Sequence, residues 1–143
     1  GLNPKEMDEI LNKKSGMLGI SGVSSDDRDI VNAIEDGNER AKLAWDMRTY
    51  EIIKYIGGYI AALGGVDAII FTAGIGENQP LLRKEILESL GYRGAKIDNE
   101  KNMAVRGTEA EITTPDSTVR AFVIPTNEEL VIARDTMEIV SKL

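Results

Sequence analysis

"VDAIIFTAGIGENQPLLR", Val66 to Arg83, decides the fold. Its first half is a short apolar, β-rich run that follows Gly64-Gly65 and carries no charge after Asp67, the pattern of a central strand buried on both faces. A polar turn with Gly74 and Gly76 comes next. "QPLLRKEILESLG" then reads as a helix from about Pro80 to Leu90, with Leu82, Ile86, Leu87 and Leu90 inward and Gly91 as its C-terminal glycine. The same succession returns near the end of the chain. "TVRAFVIP" is a second central strand, Thr126-Asn127-Glu128-Glu129 is a capping sequence, and a helix continues to about Val140. Strand, polar turn and helix, used twice, predict an α/β sheet with sites at the strand C-termini.

The remaining segments fill in around these two units. Asn3 can cap a helix over about Pro4–Lys14, with Pro4 at the first helical position, Glu6 completing the cap, and Met7, Ile10 and Leu11 on one face. "GMLGISGVSSDDRD" reads as irregular, and a short helix runs from about Asp27 to Glu35. From Asn38 to Leu63, Leu43 or Ala44, Trp45, Ile52, Ile56, Tyr59, Ile60 and Leu63 recur at three- and four-residue steps, the mark of one long helix. Gly57 and Gly58 inside it each cost about 1 kcal/mol relative to alanine, which predicts a close backbone neighbour. A short strand is expected near Lys96-Ile97, a helical turn at Asp98–Met103, and an edge strand at "AEITT".

Composition narrows the chemistry. The chain has 143 residues, 42% hydrophobic and 29% charged, and no cysteine or histidine. A disulfide framework, a thiolate nucleophile and cysteine-ligated zinc are thereby excluded, as are the commonest general base and the commonest transition-metal ligand. Any metal must be a hard ion on oxygen ligands. A net charge of -7 with no Lys/Arg cluster argues against nucleic acid, whose binding needs a basic surface. The longest nearly uncharged apolar stretch, Tyr55 to Val66, falls short of the roughly 20 residues that span a bilayer, so no membrane segment is expected. Trp45, Tyr50, Tyr55, Tyr59, Met7, Met47 and Met103 are read as core or interface packing, and clusters such as "RKE" and "NEEL" as solvated helix faces.

Three polar segments are candidates for function. In GIGEN, Gly74 and Gly76 would let a ligand approach the main chain while the next helix aims free N–H groups at an anion. The established phosphate-binding patterns do not match, because no Lys-Ser/Thr follows and Gln79 stands where a third glycine belongs. A left-handed structural turn, with Glu77 or Asn78 capping the next helix, fits equally well. In "SSDDRD", Ser24 to Asp29, the acids suit a helix N-terminus; alternatively Asp26, Asp27 and Arg28 contact a sugar or base, with Arg28 stacking its planar head. In "IPTNEE", Thr126 with Glu129 makes a capping box, which leaves Glu128 as a solvated glutamate or a magnesium-associated carboxylate.

"LNKKSGMLGISGVSSDDRD", "GGVDAIIFTAGIGENQPLLR" and "VIPTNEELVIARDT", in this order and spacing, closely resemble the C-terminal part of the acetate kinase family. The likeness extends over nearly the whole chain. It implies an actin-like ATPase (ribonuclease H-like) α/β domain of the actin, Hsp70 and sugar-kinase superfold, in which ATP lies between two domains. The implied activity is reversible transfer of the ATP γ-phosphoryl group to acetate, giving acetyl phosphate and ADP, with magnesium. By matching motif, Gly74, Ile75, Gly76, Glu77 and Asn78 would line the nucleotide site, Asp26, Asp27 and Arg28 would contact the adenosine side, and Glu128 would be the magnesium carboxylate. No catalytic residue is assigned, because the family's acetate pocket, catalytic Asp and transition-state arginines have no counterpart here. The 143 residues are thus expected to form a single, incomplete nucleotide-binding domain, inactive alone and prone to self-association. Its last helix, about 128–142, is expected to pack toward the absent domain. A cytoplasmic homodimer is implied for the whole enzyme. Alternatives are a propionate or butyrate kinase, whose selecting residues lie outside this sequence, and a non-catalytic oligomerisation module.

Overall fold

In the computed structural model, which describes residues 1–142, every strand lies beyond Gly65. The chain divides there into two structural units, one ending at Gly65 and the other beginning at Val66.

The first unit is helical. Helix α1, Pro4–Glu9, starts on the expected capping box: the Glu6 amide donates to Asn3 Oδ1 at 3.0 Å and the Asn3 amide to Glu6 Oε2 at 2.8 Å. The expected single helix widens into a π-helical turn over Ile10–Lys14, and Met7, Ile10 and Leu11 are exposed. The segment read as irregular contains a helix, α2, Gly16–Ser21. Glycine and serine are poor helix formers, but this turn packs on the long helix, and Arg40 donates to the Ile20 carbonyl at its end. Helix α3, Asp27–Glu35, has the expected bounds, with the Asp26 carboxylate accepting from the Arg28 amide. The long helix α4, Glu39–Leu63, is capped by Asn38, whose side chain accepts from the amides of Arg40 and Ala41, and ends at Gly64 with φ 73°.

Ile30, Ala41, Ala44 and Trp45 form the core of this unit. Beyond Thr49, Ile60 is the one buried residue of α4, while Tyr50, Tyr55, Tyr59 and Leu63 are exposed. The expected apolar stripe is therefore covered over only its first half. A Cβ added at Gly57 or Gly58 would meet nothing within 4 Å, so the close neighbour expected for these glycines is not found among the described residues.

The second unit carries the sheet. Strands β1, Ala68–Phe71, and β3, Arg120–Val123, run parallel, with Ala68 opposite Arg120 and Phe71 opposite Val123. Strand β2, Ala110–Glu111, lies antiparallel on the other side of β3, giving the order β1-β3-β2. The strand β3 is thus central as expected and β2 is an edge. Strand β1, expected to be central, is the other edge of this sheet and leaves Ile70 58% exposed. Bridges from Ala95 to Val119 and from Ile97 to Thr113 stand where the short strand near Lys96 was expected.

Helices α5, Ala73–Asn78, α6, Pro80–Ser89, α7, Asn99–Ala104, and α8, Glu128–Val140, complete the unit. Leu82, Ile86 and Leu87 of α6, with Leu90 after it, are buried as the helical spacing predicts. Gly91 is not the left-handed terminator of α6. The chain continues through a 3₁₀ turn, Gly91–Arg93, and the positive φ of 94° falls on Gly94. Helix α8 buries none of its residues, and Ile132, Met137 and Ile139 are exposed. No helix among the described residues is long and apolar enough to cross a membrane.

Candidate functional site

Because β1 and β3 are parallel and in register, their C-terminal ends emerge side by side; Thr72 directly follows β1, and Thr126 comes three residues after β3. The Ile124 amide donates to the Phe71 carbonyl at 2.9 Å, extending the pairing past the strands. Thr72 Oγ1 and Thr126 Oγ1 then lie 2.9 Å apart. Thr126 Oγ1 also accepts from the Ala73 amide at 3.0 Å and donates to Glu77 Oε1 at 3.2 Å, and the Thr126 amide donates to the same carboxylate oxygen at 2.9 Å. One hydroxyl has one proton and two lone pairs, so Thr126 is saturated by giving to Glu77 while receiving from Ala73 and Thr72. The capping box expected of Thr126 and Glu129 does not form. Asn127 caps α8 instead, accepting from the Leu130 amide at 3.0 Å.

These bonds draw α5 across the strand ends. GIGEN is therefore helical, and the left-handed position falls on Ala73, φ 58°, rather than on either glycine. For a residue with a Cβ that conformation costs roughly 1–2 kcal/mol, and the Thr126 bond to its amide helps hold it there. The two glycines differ in role. A Cβ on Gly76 would lie 3.0 Å from the Phe71 carbonyl carbon, so packing explains Gly76. A Cβ on Gly74 would meet nothing within 4 Å. Gly74 instead lines an open cleft of about 400 Å³ with Ala73, Glu77, Thr126, Asn127, Glu128 and Glu129.

The cleft thus gathers Gly74, Glu77 and Glu128 of the expected site. Glu77 is tied to Thr126, whereas Glu128, in the first turn of α8, is exposed. Ile75 is 47% exposed but does not line the cleft. Asn78 turns back on its own helix, donating from Nδ2 to the Gly74 carbonyl at 3.0 Å.

Behind α5 lies a residue that sequence reasoning placed in a solvated "RKE" face. Arg83 is fully buried. Its Nη1 donates to the carbonyls of Gly76 and Glu77, both at 2.8 Å, its Nη2 to those of Asn102 and Val105 at 2.9 Å, and its Nε to Asn102 Oδ1 at 2.9 Å. Burial, and secondarily the nearby Arg106 charge, pushes the guanidinium down to about 10, so it stays charged at neutral pH. Buried Asn102 completes the arrangement by donating from Nδ2 to the Pro80 carbonyl at 2.9 Å.

Asp26, Asp27 and Arg28 belong to the first unit. Asp26 caps α3 and forms a pair with Arg28 at 2.7 Å, and that guanidinium holds its carboxyl down at about 2. The Arg28 side chain is 84% exposed, free to stack on a planar ligand. Asp27 turns to α4 and pairs with Arg48, which lies 4.7 Å from the Trp45 ring centroid. Asp27 Oδ2 and Arg48 Nε and Nη2 are buried without a hydrogen-bond partner. A hollow on α4 between Lys54, Tyr55, Gly58 and Tyr59 is mostly apolar, and its Lys54 and Glu51 are paired to each other.

The donor set at the cleft suits a hard divalent ion: carboxylates and hydroxyls, with no imidazole or thiolate. Among the described residues no three acidic side chains converge closely enough to hold an ion unaided. An ion such as magnesium would therefore share its coordination with a ligand's oxygens and water.

Comparison with known proteins follows the same lines. Residues 1–134 match the model of the acetokinase family. The chain is 60% identical over 141 residues to an acetate kinase of Clostridium botulinum (strain Langeland), covering 99% of this chain and 35% of that protein. The crystal structure of Porphyromonas gingivalis acetate kinase superposes with a TM-score of 0.88 at 49% identity, over 98% of this chain and 35% of that one. A propionate kinase from Francisella tularensis superposes with a TM-score of 0.80 at 38% identity, over 93% and 33% respectively. The chain thus spans about a third of the length of these relatives and shares the α/β fold of acetate kinases. It belongs to the acetokinase family.

Proposed function

We propose that the cleft at the ends of β1 and β3 receives the phosphates of magnesium-ATP, and that these residues are the nucleotide-binding part of an acetate kinase. Such an enzyme transfers the γ-phosphoryl group reversibly to acetate, giving acetyl phosphate and ADP. The observation that carries this reading is the bare Gly74 backbone in a cleft whose walls bear Glu77, Glu128 and Glu129. A polyphosphate cannot approach three carboxylates without a cation between them. Magnesium supplies that cation and neutralises charge on the transferring phosphoryl group.

In this reading Gly74 admits the phosphates to the main chain, and Glu128 would hold the ion, directly or through its waters. Gly76, Glu77 and Asn78 shape the helix, and the family resemblance assigns Asp26, Asp27 and Arg28 to the adenosine side. The acetate-binding and catalytic groups lie outside these residues, so the chain alone does not turn over. The superposition on a propionate kinase leaves propionate as a second acyl acceptor. A cytoplasmic homodimer follows from the family resemblance, and the cysteine-free sequence suits a reducing compartment.

Calorimetric titration of the chain with ATP tests the reading. Heat of binding is expected with magnesium and is lost when EDTA removes it. Absence of heat in both conditions would overturn the proposal.

A further inference from the structure

A buried cation normally has a carboxylate beside it, because an unpaired charge is costly to remove from water. Arg83 has none. All its acceptors are neutral, and four of the five are main-chain carbonyls. Their placement accounts for the charge. Gly76 and Glu77 lie in the last turn of α5, and Asn102 and Val105 lie at the end of α7. The carbonyls at a helix C-terminus lack intrahelical partners and carry the negative end of the helix dipole. Arg83 sits where two such ends converge and spends all five N–H groups on them and on Asn102 Oδ1.

This arrangement bears directly on the cleft. Helix α5 has six residues, too short to be stable by itself, begins on a left-handed alanine, and has no side-chain cap at Thr72. Its start is held by Thr126 through the Ala73 amide and its Glu77 carboxylate by the Thr126 amide and hydroxyl, while its terminal Gly76 and Glu77 carbonyls are held by Arg83, with one longer bond from the Gly107 amide to the Glu77 carbonyl at 3.4 Å. Glycines at positions 74 and 76 give the helix little stiffness of its own. Without Arg83 those carbonyls lose their short bonds and the Glu77 side chain becomes the main tie at that end, so α5 can pivot about Glu77 and shift Gly74 relative to Glu128.

We propose that Arg83 is a positioning residue for the nucleotide site, fixing the GIGEN helix from behind through the Gly76 and Glu77 carbonyls while touching no ligand. The assignment rests on the cleft being the nucleotide site. Lysine cannot replace it, because a single ammonium cannot reach both helix ends with the planar fork of a guanidinium.

The test compares the unaltered chain with Arg83→Lys, Arg83→Met and Leu87→Ala, the last removing buried side chain from α6 while leaving the hydrogen bonds to α5 in place. Two quantities are read well below the unfolding midpoint: amide hydrogen exchange, and calorimetric affinity for magnesium-ATP corrected for the folded fraction. Both Arg83 variants are expected to exchange the amides of Glu77 and Asn78 at least tenfold faster while α6 and β3 keep their protection. Their affinity is expected to drop at least tenfold, and Leu87→Ala is expected to retain both properties. Unchanged exchange in α5, or loosened exchange with undiminished affinity, would overturn the proposal, as would an equal affinity loss in Leu87→Ala. Should Arg83→Met fail to fold, Arg83→Lys, which keeps the charge, decides between the outcomes. If the unaltered chain binds no nucleotide, the reading of the cleft fails by itself, and the exchange pattern still decides whether Arg83 holds α5.

Discussion

The hydroxyls of Thr72 and Thr126, 54 residues apart in sequence, meet at 2.9 Å where β1 and β3 end. This contact converts two neighbouring strand termini into one floor. It also leaves Thr126 as the junction of Thr72, Ala73 and Glu77. Thr126→Val keeps the shape of the side chain and removes the hydroxyl. Each such bond contributes about 1 kcal/mol, and the group is exposed enough for water to replace part of it. A loss of about 1 kcal/mol in urea unfolding is expected, with faster exchange of the Ala73 amide. An unaltered unfolding midpoint would show that the junction does not hold the floor.

Gly74 and Gly76 should separate under the same substitution. Gly76→Val drives a side chain into the Phe71 backbone, and overpacking of this kind costs about 1–3 kcal/mol. Gly74→Val places its side chain in open space, so stability should change by no more than about 0.5 kcal/mol while the cleft is filled. Thermal unfolding separates the stability effects, and magnesium-ATP titration reads the filling. Full nucleotide affinity in Gly74→Val would place the ligand elsewhere.

Ala73, at φ 58°, is a non-glycine residue in left-handed space. Ala73→Gly relieves that conformation but also loosens the unfolded chain, and the two effects oppose each other. The strain of roughly 1–2 kcal/mol should dominate, giving a net gain of several tenths of a kcal/mol in denaturant unfolding. A clear loss would mean that Ala73 is not strained.

What the sequence revealed about this fold was local. Asn3 caps the helix it precedes and Asp26, one of the SSDDRD acids, caps α3, because a cap needs only its own next three amides. Strand β3 is legible as central from its apolar run, and the strand-turn-helix repeat puts the polar segments that line the cleft after two strands. The errors involved distant partners. Arg83 looks like a surface residue because its acceptors at Asn102 and Val105 lie 19 and 22 residues downstream. Thr126 looks like a helix cap because its partners in the β1–α5 turn are about fifty residues upstream. Strand β1 reads as central, yet sheet order is set by long-range pairing and leaves it at an edge. Of the candidate site, the cleft position of Glu128 follows from its place after a strand, whereas the inward turns of Asn78 and Asp27 do not follow from any local pattern.

Acid should weaken the fold through three solvent-accessible carboxylates, Asp116 exposed and Asp26 and Glu111 half-buried. Hydrogen bonds from charged partners lower Asp26 from 3.8 to about 2 through Arg28, Glu111 from 4.5 to about 2 through Arg120, and Asp116 from 3.8 to about 2 through Lys96. A carboxylate whose folded value lies below its unfolded value stabilises fully above the unfolded value and ceases to do so as pH falls through the folded one. The thermal midpoint is therefore expected to fall between pH 4.5 and 2, and to fall less steeply in Glu111→Gln. Because these pairs are open to solvent, 1 M salt should flatten the same slope. A midpoint independent of pH across this window would contradict the assigned pairs.

The central claim, that nucleotide enters between Gly74 and Glu128, is tested most directly by following backbone amide resonances during titration with magnesium-ATP. Saturable shifts concentrated at Ala73–Ile75 and Asn127–Glu129, abolished by EDTA, are expected. Shifts confined to other residues, or none at all, would contradict the claim.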